Sequence, residues 1–172
     1  GFATRDAQIL KQAYITYIRP VLEYASSVWS PHLLKYINSI ERVQKYFTKR
    51  IPSLREYSYP ECLALIGLEP LEVRRLKTDL ILYYKSLHNL IAIPFNDYFN
   101  LQTNLSQTRS GGNRLIPSFC STNRFANDFF NRAVNCFNAL PVHVINSPTI
   151  ISFKNALSSI DLSDFVKCIY LK

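Results

Sequence analysis

The stretch that decides the fold is residues 33–51, LLKYINSIERVQKYFTKRI. Its apolar side chains recur at steps of three and four residues, the period of an α-helix: Leu33, Ile37, Ile40, Val43, Phe47 and Ile51. Helix geometry places four cations on an arc roughly 175° from this seam: Lys35, Arg42, Lys45 and Lys49. We expect the helix to begin at Ser30-Pro31, a favourable N-cap and first residue, and to run to about Arg50. Pro52 then ends it.

Helical periodicity also precedes this stretch, from Asp6 to Trp29. Pro20 lacks a backbone donor, so we expect a kink or a break near residues 17–19. The aromatic side chains of this segment have helical spacing, which favours burial over contact with a ligand. We therefore expect Tyr14, Tyr17 and Trp29 to lie in the core.

Two helices are predicted after the central stretch. Tyr59-Pro60 starts a short helix that Gly67 can close in the left-handed conformation. Glu69-Pro70 starts a longer one, whose apolar seam consists of Val73, Leu76, Leu80, Tyr84, Leu87 and Ile91.

Residues 92–123 are rich in Asn, Ser, Thr and Gln and predict a long polar connection, with short strands around residues 114–116. Helical periodicity returns at Asn123 and ends at Pro141. Ser147-Pro148 opens a last amphipathic helix. The predicted fold is mainly α, a bundle of about six helices with a long polar loop in the middle. A soft boundary near residue 92 separates a helical domain, 1–91, from a C-terminal extension, 92–172.

Composition narrows the class of protein. Hydrophobic residues make up 48% of the 172 and charged residues 19%, which is typical of a folded chain. The four cysteines form no C-x-x-C pair, so we expect no zinc knuckle but buried thiols in a reducing compartment. Neither a signal peptide nor a membrane-spanning run of about 18 apolar residues is present, which predicts an intracellular protein of the nucleus or cytoplasm. The absence of methionine suggests a piece of a longer polypeptide.

The pattern of titratable residues argues against catalysis. The twelve acids are spread singly, no Asp-Asp pair occurs, and the three histidines lie far apart. Two-metal chemistry needs converging carboxylates, and phosphate-binding loops need a glycine motif between a strand and a helix. We therefore expect no catalytic residue, no metal and no small-molecule substrate. An enzyme whose acids converge only in the folded chain remains an alternative.

Basic residues give the strongest functional signal. The net charge is +8 and the pI about 9.4, which favours an anionic partner, nucleic acid before membrane. The cations form three clusters: Arg42, Lys45, Lys49, Arg50 and Arg55; Arg74, Arg75 and Lys77; Arg109, Arg114, Arg124 and Arg132. Three alternatives stay open. The chain could bind no polyanion, the first cluster could be the solvated side of a helix, and Glu69, Glu72 and Asp79 could pair with the second.

The chain resembles the segment that follows the polymerase palm in reverse transcriptases of jockey-type non-LTR retrotransposons. The resemblance rests on an ordered series of motifs: YIRPVLEYASSVWSP at 17–31, IERVQKYFTKRI at 40–51, YPECLALIGL at 59–68, PLEVRRLKTDL at 70–80, TR at 108–109, FFNRAVNCFNALP at 129–141 and SFK at 152–154. Cys62 replaces the family's usual arginine and Phe137 its usual tryptophan. The family's F/Y-x-D-D palm motif is not in this chain.

The resemblance implies the thumb and C-terminal segment of an RNA-directed DNA polymerase, inactive by itself. The thumb would hold the template-primer duplex, RNA or RNA–DNA, without sequence specificity, next to the palm of the same polypeptide. The full-length polymerase would use magnesium ions held outside this chain. The expected backbone contacts are Arg42, Lys45, Lys49, Arg50, Arg74, Arg75 and Lys77, with Arg109 and Arg132. The alternative is a degenerate or domesticated helical protein-interaction module.

Overall fold

A computed structural model describes residues 6–101 and 114–168, and these are mainly helical, as predicted. Two short strands pair antiparallel, with Asn100 opposite Ile116 and Leu101 opposite Leu115. In chain order the elements are α1 Ala7–Ala13, a π-helical turn Tyr14–Ile18, α2 Arg19–Glu23, α3 Ser26–Trp29, α4 Leu34–Arg50, a 3₁₀ turn Pro52–Leu54, α5 Tyr59–Ile66, α6 Leu71–Leu87, α7 Phe95–Tyr98, β1 Asn100–Leu101, β2 Leu115–Ile116, α8 Asn123–Ala126, α9 Phe129–Arg132, α10 Val134–Ala139, α11 Val142–Ile145, α12 Ile150–Ser158 and a 3₁₀ turn Ser163–Phe165.

The described residues form two compact units, and the division between them falls within α6. The first unit comprises residues 6–75 and 166–168, and the second comprises 76–101 and 114–165. The carboxylate of Glu72 holds the returning segment in the first unit. It accepts hydrogen bonds from the amides of Lys167, at 3.0 Å, and Cys168, at 2.8 Å.

The first unit opens with a helical segment that changes its winding where Pro20 predicted an irregularity. Asp6 caps α1, because its carboxylate accepts from the amide of Gln8 at 2.8 Å. The amide of Arg19 then donates to the carbonyl of Tyr14, an i to i−5 bond that closes the π turn. This wider turn precedes the missing N–H of Pro20, and α2 continues from there.

The burial of this segment differs from the prediction. Tyr14 is fully buried, but Tyr17 is 70% exposed and Trp29 is also exposed. The prediction that Tyr17 and Trp29 lie in the core is therefore wrong. The chain reverses at Ala25, whose φ of 50° lies in the left-handed region, and α3 follows this reversal.

The central helix α4 is rotated relative to the predicted seam. It begins at Leu34, not at Ser30, and its buried residues are Ile37, Glu41, Gln44 and Thr48. The centre of this buried face lies roughly 65° around the helix from the centre of the apolar seam. Polar side chains can occupy the interior when they have partners there, and Glu41 and Gln44 both do.

Helix α5 follows its sequence signals closely. Ser58 and Glu61 form a capping box at its start, and Gly67 ends it with φ 62°. The core of the first unit collects around this helix and comprises Tyr14, Ile51, Leu54, Tyr59, Cys62, Leu63, Ile66 and Leu68.

The second unit has an aromatic core around the C-terminal part of α6. The ring of Tyr83 meets those of Phe99 and Phe129 edge-on, with centroids 4.7 and 5.2 Å away, and Tyr84 stacks on Phe153 at 4.4 Å. Helix α6 ends at Leu87, before the predicted last seam residue, Ile91.

Two predicted boundaries in the second unit are corrected. The helical run begins at Asn123 as predicted, with Thr122 as its cap, but it is divided into three short helices, α8 to α10, and the side chain of Asp128 caps the new start of α9. The last helix begins at Ile150, with Thr149 and not Ser147 as its cap. The predicted strand near residues 114–116 is confirmed as β2.

Candidate nucleic-acid interface

The exposed face of α4 combines cations with aromatic rings. Because the buried face runs through Ile37 and Gln44, the opposite face presents Lys35, Arg42, Tyr46 and Arg50, all of them exposed. Helix geometry places these four side chains within an arc of roughly 80° and along roughly 22 Å of the helix axis. We call them, together with the neighbouring Tyr36, the basic–aromatic face.

Within this face the aromatic rings are already in contact with cations. The guanidinium of Arg50 lies over the ring of Tyr46, with 4.6 Å to its centroid, and also donates to the Tyr46 hydroxyl. The ammonium of Lys35 lies 5.8 Å from the centroid of the Tyr36 ring. Such cation–π contacts hold the charge on the surface without neutralising it.

The one acid of α4, Glu41, points away from this face and is fully buried. Its carboxylate accepts from the Tyr59 hydroxyl at 2.5 Å and from the amide of Leu71, the first residue of α6, at 3.0 Å. Burial raises the pKa of the Glu41 carboxyl, and these hydrogen bonds counter part of that rise. The inward position of Glu41 leaves the exposed side of α4 without a negative charge of its own.

The neighbouring Gln44 completes a buried polar network in the first unit. Its side-chain oxygen accepts from the Tyr14 hydroxyl at 2.7 Å, and its amide group donates to the Tyr59 hydroxyl at 3.1 Å and to the Glu69 carbonyl at 3.0 Å. Burial raises the pKa of both tyrosines, so their hydroxyls remain protonated donors. This network fixes the rotation of α4 and thereby decides which residues face outward.

The other predicted cations of the first cluster differ in their surroundings. Arg42 has no hydrogen bond or ion pair to any residue within 6–101 or 114–168. Lys49 is half-buried, and its ammonium donates to the carbonyls of Arg55, at 2.9 Å, and Tyr57. Lys45 is half-buried as well. Arg42 and Arg50 are thus the predicted residues that α4 presents most openly.

The cations of the second predicted cluster, Arg74, Arg75 and Lys77, are paired with acids of the protein or at least half-buried. Arg74 forms two hydrogen bonds to the carboxylate of Glu23, one of them 3.0 Å long, and lies 4.0 Å from Glu69. The hydrogen bond to Glu23 raises the pKa of Arg74. The alternative in which acids pair with this cluster is therefore confirmed for Arg74 and Glu69. Lys77 is half-buried on α6.

Arg75 is not on the surface at all. Its side chain is 2% exposed, and none of its three guanidinium nitrogens has a hydrogen-bond partner among the described residues. Burial lowers the pKa of Arg75, while the nearby carboxylates of Glu41 and Glu72 act in the opposite direction. A phosphate at the protein surface would not meet this guanidinium, so we leave Arg75 out of the proposed interface.

The third cluster is dispersed. Arg132 makes a two-pronged ion pair with Asp79, from Nε to Oδ2 at 2.8 Å and from Nη2 to Oδ1 at 2.9 Å. Arg114 and Arg124 are exposed in the second unit. Arg109 lies outside the described residues. The Arg132 guanidinium is therefore already occupied by a carboxylate in its preferred fork geometry.

The structure thus brings together a smaller set than the sequence predicted, and it adds residues that sequence reasoning missed. Lys35 was part of the cationic arc but not of the predicted contacts, and Tyr36 and Tyr46 were not considered. The available signal was the helical wheel, which places Tyr46 roughly 40° from Arg42.

Within residues 6–101 and 114–168, no three or more His, Cys, Asp or Glu side chains are grouped as a metal ion would require. None of the described helices has both the length and the apolar character needed to cross a membrane. Comparison of the chain with known protein families, with curated proteins and with solved structures found no match.

Proposed function

We propose that this chain binds the backbone of an RNA or RNA–DNA template-primer duplex without sequence specificity. The observation that carries the proposal is the exposed side of α4, where Lys35, Arg42 and Arg50 face outward while Glu41 is buried. A solvated helix face normally mixes charges of both signs, and this one does not. A helix side that carries only cations attracts a polyanion by its summed positive charge.

Contact with phosphates explains why the binding would not depend on sequence. Arginine offers a planar fork of donors that matches phosphate oxygens, and such contacts carry affinity but no base information. Each phosphate that a cation neutralises contributes about 0.9 to the slope of log affinity against log salt. Lys35, Arg42 and Arg50 would together account for a slope of roughly three.

The motif series supplies the wider setting of the proposal. We infer that the chain is the thumb and C-terminal segment of a retrotransposon RNA-directed DNA polymerase and acts inside the cell, in the nucleus or cytoplasm. The catalytic carboxylates and their magnesium ions would belong to the palm of the same polypeptide. In this setting the chain positions the duplex, and the palm performs the chemistry.

An exposed apolar surface in the first unit fits the same setting. Side chains of α2 and α3 and of the residues beside them are left open, among them Tyr17, Val21, Tyr24 and Val28, the last 86% exposed. An apolar patch of this kind marks a contact with another protein surface. The palm would supply that surface in the polymerase.

The same patch favours a second candidate, a domesticated helical module that binds a protein partner. The two candidates differ in what the basic–aromatic face is for. Duplex binding requires its charge, whereas a protein-interaction module requires only the apolar patch.

Binding of the full chain to an RNA–DNA duplex separates the two. In a fluorescence anisotropy titration, the variant with Lys35→Gln and Arg42→Gln should bind more weakly and with a shallower dependence on salt. A variant with Val21→Ser and Val28→Ser should bind the duplex as the unmodified chain does. Duplex affinity that ignores salt and is unaltered by Lys35→Gln with Arg42→Gln would favour the protein-interaction module.

A further inference from the structure

We propose that the basic–aromatic face also binds a single-stranded stretch of nucleic acid, with bases stacking on Tyr46 and Tyr36 while cations hold the phosphates. The inference rests on the proposed function, because it names a second form of the same ligand at the same face. It goes beyond that function because a duplex backbone contacts only the cations of the face, whereas the exposed rings of Tyr46 and Tyr36 can stack on unpaired bases.

Tyr46 has the geometry of a stacking platform. Its side chain is 60% exposed, in the middle of a helix whose other side is buried. The Arg50 guanidinium covers one face of the ring, and its hydrogen bond to the hydroxyl restrains the ring's orientation. A ring that is already held loses less conformational entropy when a base stacks on its other face.

Tyr36 is a second platform along the same helix. Its side chain is 52% exposed, with the Lys35 ammonium beside the ring. The ten residues between Tyr36 and Tyr46 correspond to about 15 Å of helix axis. At 3.4 Å for each stacked nucleotide, this distance spans roughly four nucleotides. Along the helix axis Arg42 lies between the two rings, and around the helix it lies roughly 40° from Tyr46 and about 120° from Tyr36, so it can contact a phosphate beside the base on Tyr46.

The chemistry of the face selects the ligand. Flat apolar rings next to uncompensated cations match a ligand that carries both flat apolar groups and repeated negative charges. A single strand is such a ligand, because its bases can be splayed out, whereas in a duplex the bases stack on each other and only the phosphates are presented.

The test compares three ligands on the full 172-residue chain by fluorescence anisotropy: a single-stranded RNA, a strand of the same length with abasic sugars in place of nucleosides, and an RNA–DNA duplex. The variants are Tyr46→Leu and Tyr36→Leu. Tyr46→Phe keeps the ring, and Tyr17→Leu removes a tyrosine that is even more exposed but lies off α4.

Stacking of one base contributes enough that Tyr46→Leu should weaken single-strand binding about fivefold or more. Tyr36→Leu should have a similar effect and Tyr17→Leu little. Tyr46→Phe should have a smaller effect than Tyr46→Leu, because it keeps the ring and loses only the hydrogen bond from Arg50. The abasic strand should bind weakly to every variant. Duplex affinity should fall less than single-strand affinity in Tyr46→Leu and Tyr36→Leu, because the cations that contact phosphates remain, and it should stay within about twofold of the unmodified chain in Tyr17→Leu.

The inference is overturned if the abasic strand binds as tightly as RNA, or if Tyr46→Leu and Tyr17→Leu have equal effects. Either result would leave the duplex proposal intact, provided that Lys35→Gln with Arg42→Gln still weakens duplex binding. If those charge changes leave duplex binding unaltered, the proposed function fails, and this inference fails with it.

Discussion

Removing the Arg132 guanidinium should destabilise the protein strongly, although Arg132 was predicted from sequence to contact nucleic acid. Arg132 is joined to Asp79 by hydrogen bonds of 2.8 and 2.9 Å, and the two side chains are 14% and 3% exposed. The substitution Arg132→Met keeps the apolar stem but leaves a buried carboxylate without its counter-charge. The central prediction is that this carboxylate, and not the loss of a surface contact, determines the effect.

The size of the expected loss in the free energy of unfolding follows from the burial of the Arg132–Asp79 ion pair. Breaking a buried ion pair by removing one partner costs about 3–5 kcal/mol. Two hydrogen bonds to a charged group, at about 1.5–3 kcal/mol each, give a similar figure. Replacing both partners relieves the unpaired charge, so Asp79→Leu with Arg132→Met should be clearly more stable than Arg132→Met alone.

Urea unfolding followed by circular dichroism measures these free energies, and the matched control is Arg42→Met. Arg42 is exposed and unpaired among the described residues, so its replacement should change stability by less than about 0.5 kcal/mol. If Arg132→Met is as mild as Arg42→Met, the ion pair does not hold in solution. Arg132 would then rejoin the candidates for nucleic-acid contact.

Three further predictions concern stability. Burial raises the pKa of Glu41 in the folded protein. The contribution of Glu41 to the free energy of unfolding is therefore complete below its ordinary pKa of about 4.5, and it is lost as pH rises through the higher folded-state pKa. The unfolding free energy of the unmodified chain minus that of Glu41→Gln should therefore fall between acidic and neutral pH, and a rise would contradict the cause given. Glu72→Ala should speed alkylation of the buried Cys168, measured by peptide mapping, because it removes the carboxylate that accepts from the Cys168 amide. The control is Cys136, which should stay protected because burial raises the pKa of its thiol to about 12. Gly67→Ala should lower the free energy of unfolding in a urea titration by about 1 kcal/mol, because the φ of +62° at this position disfavours a residue with a side chain. The added Cβ itself has room, since it would meet only the Lys11 ammonium, at an ordinary 3.6 Å. An unchanged free energy of unfolding would show that the turn relaxes freely.

Local signals allowed much of the fold to be predicted. Gly67 closes α5 as expected, and the winding changes next to Pro20. Both predictions depend on the backbone preferences of a single residue, which hold in any tertiary context. The capped start at Asp128 was not predicted, because apolar periodicity continues across it.

The rotation of α4 shows where sequence reasoning failed. The apolar seam was expected inside, but Glu41, Gln44 and Thr48 are buried there instead. The burial of Glu41 and Gln44 depends on partners that are distant in sequence, the hydroxyls of Tyr14 and Tyr59. A periodicity count assigns polar residues to the outside and contains no information about such partners.

The candidate site was predictable only in part, for the same reason. A cation's charge can be read from the sequence, but its partner cannot. Arg74 and Arg132 have carboxylate partners 51 and 53 residues away in the chain, whereas Arg42 has none among the described residues. The structure therefore sorts the predicted cations into those that stabilise the fold and those that face outward.

The most direct test of the account is the salt dependence of RNA–DNA duplex binding in two variants of equal net charge. One carries Lys35→Gln and Arg42→Gln on α4, and the other carries Arg124→Gln and Lys154→Gln, two exposed cations of the second unit. We expect the first variant to lower the slope of log affinity against log salt by about two and the second to leave the slope nearly unchanged. Equal slopes for the two variants, or an affinity that does not respond to salt, would contradict the claim that the exposed face of α4 binds the duplex.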